Sequence, residues 1–261
     1  MTNSNSMYTT QLQAGLGMLE ETKLLLSIYQ PGMDTTELYN EALASGQFPL
    51  VSARRLRNII AECFAPRYLR TGSAALLKSL AESIPSSQLH QLLFVFTAEA
   101  NSIFSNFLRE VYWQSYSAGR SHLSLNDARD FVNQAVMDGK TQKLWSDTTI
   151  KRVSSYLIGC CVDFGLLSSS RGAEKRIQAP RIHHETLLFF AYRLHLDGHG
   201  DNAMLNHEIW TLFGLEPSDV RNELRRYSNN GWWIVQSAAE VVHITWQLSN
   251  MEEVINVIAQ D

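Results

Sequence analysis

The 261-residue sequence has no long apolar run, few cysteines and no excess of positive charge. Purely apolar stretches such as residues 92–96 are far shorter than the about 20 residues that cross a bilayer. The first residues are polar and uncharged, which argues against a secretory signal peptide. Three cysteines, two of them adjacent at Cys160 and Cys161, do not make a disulfide framework. We therefore expect a cytoplasmic protein with no membrane segment.

The net charge and the absence of catalytic motifs limit the classes of function that we expect for this protein. The net charge is −4, so a nucleic-acid surface would have to be a local basic patch. The sequence lacks a Gly-rich phosphate loop, a Gly-x-Ser-x-Gly nucleophile motif and the carboxylate–lysine cluster typical of nucleases. We expect a protein that is not an enzyme and needs no cofactor.

The apolar residues recur mostly at helical spacing, which predicts a mainly α fold. The pattern indicates a helical bundle combined with helix-turn-helix or winged-helix units that carry short β-hairpins. We predict four regions: a helix-turn-helix-like region at 1–72, a helical bundle at 73–139, and winged-helix-like units at 140–198 and 199–261. The aromatic residues of the bundle, at helical spacing, are expected to be core rather than a platform for stacking bases.

The first basic helix is predicted from Ser52 to Phe64. Its apolar residues recur at i, i+3, i+4, i+7 and i+8, and Ser52 is a suitable N-cap. Arg54 and Arg57 fall on the opposite face, with Arg55 at its flank, and Pro66 is expected to break the helix. Such a helix can enter a DNA groove, but a charged outer face is also the ordinary state of a surface helix.

The same plan is predicted twice more. Residues 148–164 form an amphipathic helix, followed by a short strand at 165–167, a polar hairpin tip at 168–176 and a return strand at 177–182. This is the order of elements in a winged helix. Further on, a helix at 219–227 precedes a hairpin built from the β-branched and aromatic runs 232–236 and 240–246.

The candidate DNA contacts are the basic residues expected on the outer faces of these helices and hairpins. They are Arg54, Arg55, Arg57, Arg67, Arg70, Lys151, Arg152, Lys175, Arg176, Arg221 and Arg225. Residues 140–181 contain eight basic and three acidic residues, the local segregation that a phosphate-facing strip needs. The helix at 219–227 also carries acidic residues, so its face can equally be an ion-paired one.

The histidines raise the question of a metal site. His195, His199 and Asp201 lie close together, but their spacing follows no zinc-ligand pattern. Their glycine neighbours indicate a linker turn, and we predict no metal. Cys160 and Cys161 lie on an apolar helix face and are expected to be core residues.

Three segments carry a resemblance to a known family. The Leu-rich run from Gly15 to Leu26 with its Glu-Thr-Lys, the run Val51-Ser-Ala-Arg-Arg-Leu-Arg-Asn-Ile-Ile, and Pro66-Arg-Tyr-Leu69 together resemble BrxA of BREX bacteriophage-defence systems. The resemblance is most specific over residues 15–70.

This resemblance implies an all-helical, winged-helix-containing protein that binds double-stranded DNA beside the BREX methyltransferase and ATPase. The NusB-like label of the family keeps RNA binding open. A helical adaptor that docks on acidic partner proteins is a further alternative, favoured by the net acidity of the chain.

Overall fold

The structure, a computed structural model, describes residues 7–14, 16–238 and 241–260. Its contacts divide the chain into two compact units. Unit 1 contains the described residues up to Ala75 together with Leu93–Pro180, and unit 2 contains Leu76–Leu92 and the described residues from Arg181 onward. Each unit therefore combines segments from more than one of the four predicted regions.

Helices dominate the described part of the chain, which confirms the prediction of a mainly α fold. The α-helices are α1 Leu19–Ile28, α2 Thr35–Ala44, α3 Ala53–Asn58, α4 Ala74–Ser83, α5 Ser86–Ala100, α6 Ser102–Phe107, α7 Trp113–Ser117, α8 Leu125–Met137, α9 Asp147–Asp163, α10 His184–Leu196, α11 Asp201–Leu205, α12 Pro217–Arg226 and α13 Met251–Gln260. The strands are β1 His122–Ser124, β2 Glu174–Arg176, β3 Trp233–Ala238 and β4 Val241–Trp246. The 3-10 helices are Gln11–Ala14, Glu208–Phe213 and Ser228–Asn230, and the π-helices are Ile59–Leu69 and Leu108–Tyr112.

The first basic helix of unit 1 begins as predicted but does not end where predicted. The Ser52 hydroxyl accepts a hydrogen bond from the Arg55 amide (3.3 Å), so Ser52 caps α3. The expected break at Pro66 is wrong, because α3 continues directly into the π-helix Ile59–Leu69. Its wider turn joins the Arg70 amide to the Ala65 carbonyl (3.0 Å) and tolerates a proline, which has no N–H to donate.

A small sheet in unit 1 joins segments that are far apart in sequence. Strand β1, which the sequence analysis missed, pairs antiparallel with β2 in the register His122↔Arg176. On the other side of β2, Leu167 forms an antiparallel bridge with Ile177. The predicted strands at 165–167 and 177–182 are thus reduced to this bridge. The order of elements is helices α6 and α7, β1, α8, α9, the Leu167 bridge, a loop and β2.

Asn101 separates α5 from α6. Its backbone leaves the helical region (φ −134, ψ 89), and its side-chain amide donates to the Thr97 carbonyl (2.8 Å). Short polar side chains of this kind compete with the helical ladder for backbone partners. The result is α5 followed by a new helix, α6.

The centre of unit 2 is α10, which the sequence analysis did not identify. Nine of its residues are buried, and the run from Leu187 to Tyr192 is buried on all sides. The predicted hairpin is confirmed: β3 and β4 pair from Trp233↔Trp246 to Ala238↔Val241. The Tyr192 hydroxyl ties them to α10, donating to the Trp232 carbonyl and accepting from the Gln247 amide (3.1 Å).

No helix in the described ranges is both long and apolar enough to cross a membrane.

Candidate nucleic-acid interface

Two elements of unit 1 that follow each other in the sequence, α9 and the loop before β2, carry exposed basic residues. Ser146 caps α9, and Val153, Leu157, Cys160 and Cys161 bury its apolar face, as predicted. Lys151 and Arg152 are exposed on the opposite face. Neither has an ion-pair partner among the described residues, so both are available to an anion.

The loop 168–173 adds charge that the sequence analysis did not select. Arg171 is exposed at its tip, and only its position within the polar hairpin could have indicated it. Lys175 has a different role: its ammonium donates to the Ser170 carbonyl and holds the loop against β2. Arg176 is exposed and belongs to β2 itself.

The α2–α3 corner holds the first predicted basic set. Arg54, Arg55 and Arg57 are all exposed, as their helix pattern predicts. The Arg57 guanidinium lies 4.9 Å from the centre of the Tyr39 ring, a cation–π contact that orients it. Arg70, after the π-helix, is also exposed.

Arg67 contradicts its predicted role. It is only 2% exposed, and its guanidinium donates to the carbonyls of Leu16 (3.0 Å) and Gly17 (3.4 Å). The π-helical turns carry Arg67 to the inner face, whereas a break at Pro66 would have released it to solvent. A side chain in this position cannot reach a phosphate. Arg67 is a structural residue that fastens the segment before α1.

The third basic set lies on α12 in unit 2. Val220 and Leu224 are buried, and Arg225 is exposed while Arg221 is half-buried. Acidic residues share this helix: Asp219 accepts from the Glu216 amide (2.9 Å) at its start, and Glu223 lies 3.8 Å from Arg226. The face therefore has mixed charge.

The histidine-rich turn of unit 2 is used for packing. The His195 ring stacks on Trp246 at 4.4 Å, and burial lowers the pKa of His195 although Asp201 opposes the shift. The Asp201 carboxylate accepts from the Ile244 amide (2.9 Å) and from the Trp246 indole (3.3 Å). In the described part of the chain, no group of three or more candidate ligands is arranged to hold a metal ion.

The three cysteines are buried and unpaired with one another. Burial raises the pKa of the Cys160 thiol to about 12 and that of Cys161 as well. Both thiols therefore stay protonated at neutral pH and are poor nucleophiles or metal ligands. This confirms the prediction that they are core residues.

Comparison with protein families decides the identity of the chain. The profile of the BrxA family matches residues 6–193, which is more than half of the sequence. The chain belongs to the BrxA family. BrxA proteins are components of BREX bacteriophage-defence systems, so the resemblance seen in the sequence is confirmed. The matched range includes α9, its loop and the α2–α3 corner.

A solved structure shares the fold. It is described as the crystal structure of an uncharacterized protein from Magnetospirillum magneticum, with a TM-score of 0.59 and 15% sequence identity. The similarity covers 72% of this chain and 94% of that one. At this identity the likeness concerns the fold alone. No curated protein matches the sequence.

Proposed function

We propose that this BrxA-family protein binds double-stranded DNA, mainly through the phosphate backbone and with little sequence preference, as a non-enzymatic accessory component of a BREX system. The observation that carries the proposal is the exposed, unpaired Lys151 and Arg152 on α9, next in sequence to the loop with Arg171. Flexible cations of this kind neutralise phosphates without reading bases.

The arrangement of elements supports the same proposal. From α6 to β2 the order of elements resembles that of a winged helix, with α6 and α7 before β1 and with the Leu167 bridge in the position of the middle strand. In our proposal, α9 and the loop 168–173 would be the last helix and the wing of such a unit. Lys151, Arg152 and Arg171 would thus lie on two elements that such a unit presents to DNA.

A salt-dependent titration tests the proposal. We expect a fluorescently labelled duplex to bind at low salt, and log affinity to fall linearly with log salt by about 0.9 per phosphate neutralised. Two duplexes of unrelated sequence should bind almost equally. Tighter binding to a structured RNA than to a duplex of the same length would favour the RNA alternative.

A matched pair of substitutions locates the surface. Lys151→Glu and Arg129→Glu change the net charge equally, but Arg129 is exposed on α8, outside the proposed surface. We expect K151E to weaken binding to all duplexes and to reduce the salt slope by about 1, while R129E leaves the slope unchanged. Equal effects of the two variants would eliminate α9 as the contact.

A second candidate is a protein–protein adaptor, and the charge of unit 2 favours it. Sequence positions 76–92 and 181–261 hold six Lys or Arg and twelve Asp or Glu residues. Such a surface repels DNA and suits a basic protein partner. Co-purification with the BREX methyltransferase or ATPase after nuclease treatment, with no duplex binding at low salt, would decide for this function.

A further inference from the structure

Two leucines in unit 1 are exposed to an unusual degree and occupy equivalent places. Leu50 is 97% exposed and Leu144 is 84% exposed, more than the other exposed large apolar side chains of the described residues. Each lies two positions before the serine that caps a basic helix: Leu50 before Ser52 of α3, and Leu144 before Ser146 of α9. Single exposed leucines are common, but these two share their position relative to the cap of a basic helix.

Both leucines are presented by short connections with a buried anchor. The turn at Leu50 is closed by a hydrogen bond from the Val51 amide to the Phe48 carbonyl (3.1 Å), and Phe48 is buried. Leu144 precedes the buried Trp145, and the Thr141 hydroxyl donates to the Lys143 carbonyl just before it (2.9 Å). Because the backbone on either side is fixed, a partner that covers such an apolar side chain gains the hydrophobic free energy at little ordering cost.

The charges around these leucines indicate which partner covers them. Arg54 and Arg55 are exposed within one turn after Leu50, and the first turn of α3 contains no acidic residue. Lys143 precedes Leu144, and Lys151 and Arg152 follow on α9, with Asp147 between them. An apolar tip flanked by cations fits DNA, where proteins insert leucine between base steps of the minor groove while basic residues hold the phosphates.

We propose that Leu50 and Leu144 act as wedges that unstack base steps and bend the duplex. This further activity rests on the proposed DNA binding. It predicts a preference for easily unstacked pyrimidine–purine steps, such as TA, without base-specific hydrogen bonds. Unit 1 would then deform DNA at two places.

The test uses the full chain and a duplex of about 30 base pairs that contains TA steps, with 2-aminopurine beside one of them and dyes at its ends. At saturation we expect wild-type protein to raise the 2-aminopurine fluorescence and the energy transfer between the ends. The rise should fall by about half in L50S and in L144S and disappear in the double variant. Both side chains are exposed, so the urea midpoint should not change.

The matched control is Leu43→Ser, because Leu43 is 51% exposed on α2 in the same unit but precedes no helix cap. It should retain the full signal. Wild-type binding without any change in fluorescence or energy transfer would overturn the wedge proposal and leave the proposed function standing. No duplex binding at 50 mM salt would defeat the proposed function itself. Double variants that still distort DNA but no longer co-purify with a BREX protein would reassign the leucines to protein docking.

Discussion

Units 1 and 2 both place a helix with exposed arginines or lysines before a strand, yet their charges differ in sign. The sequence segments of unit 1 carry sixteen Lys or Arg and fourteen Asp or Glu residues, whereas those of unit 2 carry six and twelve. The basic side chains of α9 have no ion-pair partners among the described residues, whereas α12 combines its arginines with two carboxylates, Asp219 and Glu223. The same order of elements therefore does not imply the same ligand.

The interiors of the two units differ as well. Unit 1 buries the cationic side chain of Arg67 against backbone carbonyls, and its N-terminal segment depends on that contact. Unit 2 relies on an aromatic cluster in which Tyr192 and Trp246 contact His195, and Trp233 packs against Trp246. The stability of unit 1 is thus sensitive to loss of the buried charge of Arg67, whereas the stability of unit 2 is sensitive to a charge gained by His195.

The largest effect is expected from Arg67→Ala. Two buried carbonyls, of Leu16 and Gly17, would lose a charged donor, and a cavity would form beside them. We expect the free energy of unfolding of unit 1 to fall by about 3 kcal/mol, measured by urea denaturation. Arg70→Ala removes an exposed arginine from the next turn and is the control. If R67A were no less stable than R70A, Arg67 would not be structural.

The next largest effect is expected on duplex affinity, when the basic residues of α9 in unit 1 or of α12 in unit 2 are replaced by glutamate. We expect the double reversal K151E/R152E to weaken duplex binding at least about tenfold, since two phosphate contacts are lost. The matched reversal R221E/R225E in unit 2 should weaken it less than about threefold, because that helix lies in an acidic environment. R54E/R57E tests the α2–α3 corner in the same anisotropy assay. Equal losses for α9 and α12 would mean that both units share the DNA.

Local patterns predicted much of the fold. The cap at Ser52, the apolar stripe of α3 and the β3–β4 hairpin all follow from residues close in sequence. Strand β1 could not be found in this way, because its partner β2 lies about fifty residues away and each strand has three residues. Helix α10 was missed because its central run from Leu187 to Tyr192 is buried on all sides and lacks an amphipathic period.

The candidate site was predicted less completely than the fold. The exposure of Arg54, Lys151 and Arg152 follows from helix periodicity. The burial of Arg67 depends on a π-helix that the sequence pattern does not predict. Two of the segments that carry the family resemblance are in contact. Arg67 of the Pro66–Leu69 motif donates hydrogen bonds to the carbonyls of Leu16 and Gly17 in the first motif. An added methyl group at Gly17 would lie 2.7 Å from the Asp163 Cβ. The first and third motifs therefore support the fold.

The smallest expected effect is on the pH dependence of stability, and it arises at His195 in the aromatic cluster of unit 2. Burial against Trp246 lowers the pKa of His195 below its unfolded value of about 6.5, so the unfolded chain binds the proton more readily. The stability that the folded protein gains from a neutral His195 is fully present above about pH 6.5. It falls as the pH drops toward the pKa of His195 in the folded protein.

The variant His195→Phe keeps an aromatic ring beside Trp246 but cannot be protonated. We expect the urea midpoint of the wild type to drop relative to that of H195F between pH 7.5 and pH 5.5. His122, an exposed histidine on β1 of unit 1, provides the control when it is replaced by Asn. If the difference in urea midpoint between wild type and H195F stayed constant with pH, protonation of His195 would not reduce the stability of the folded protein. The aromatic cluster of unit 2 would then tolerate a charge, as the interior of unit 1 does.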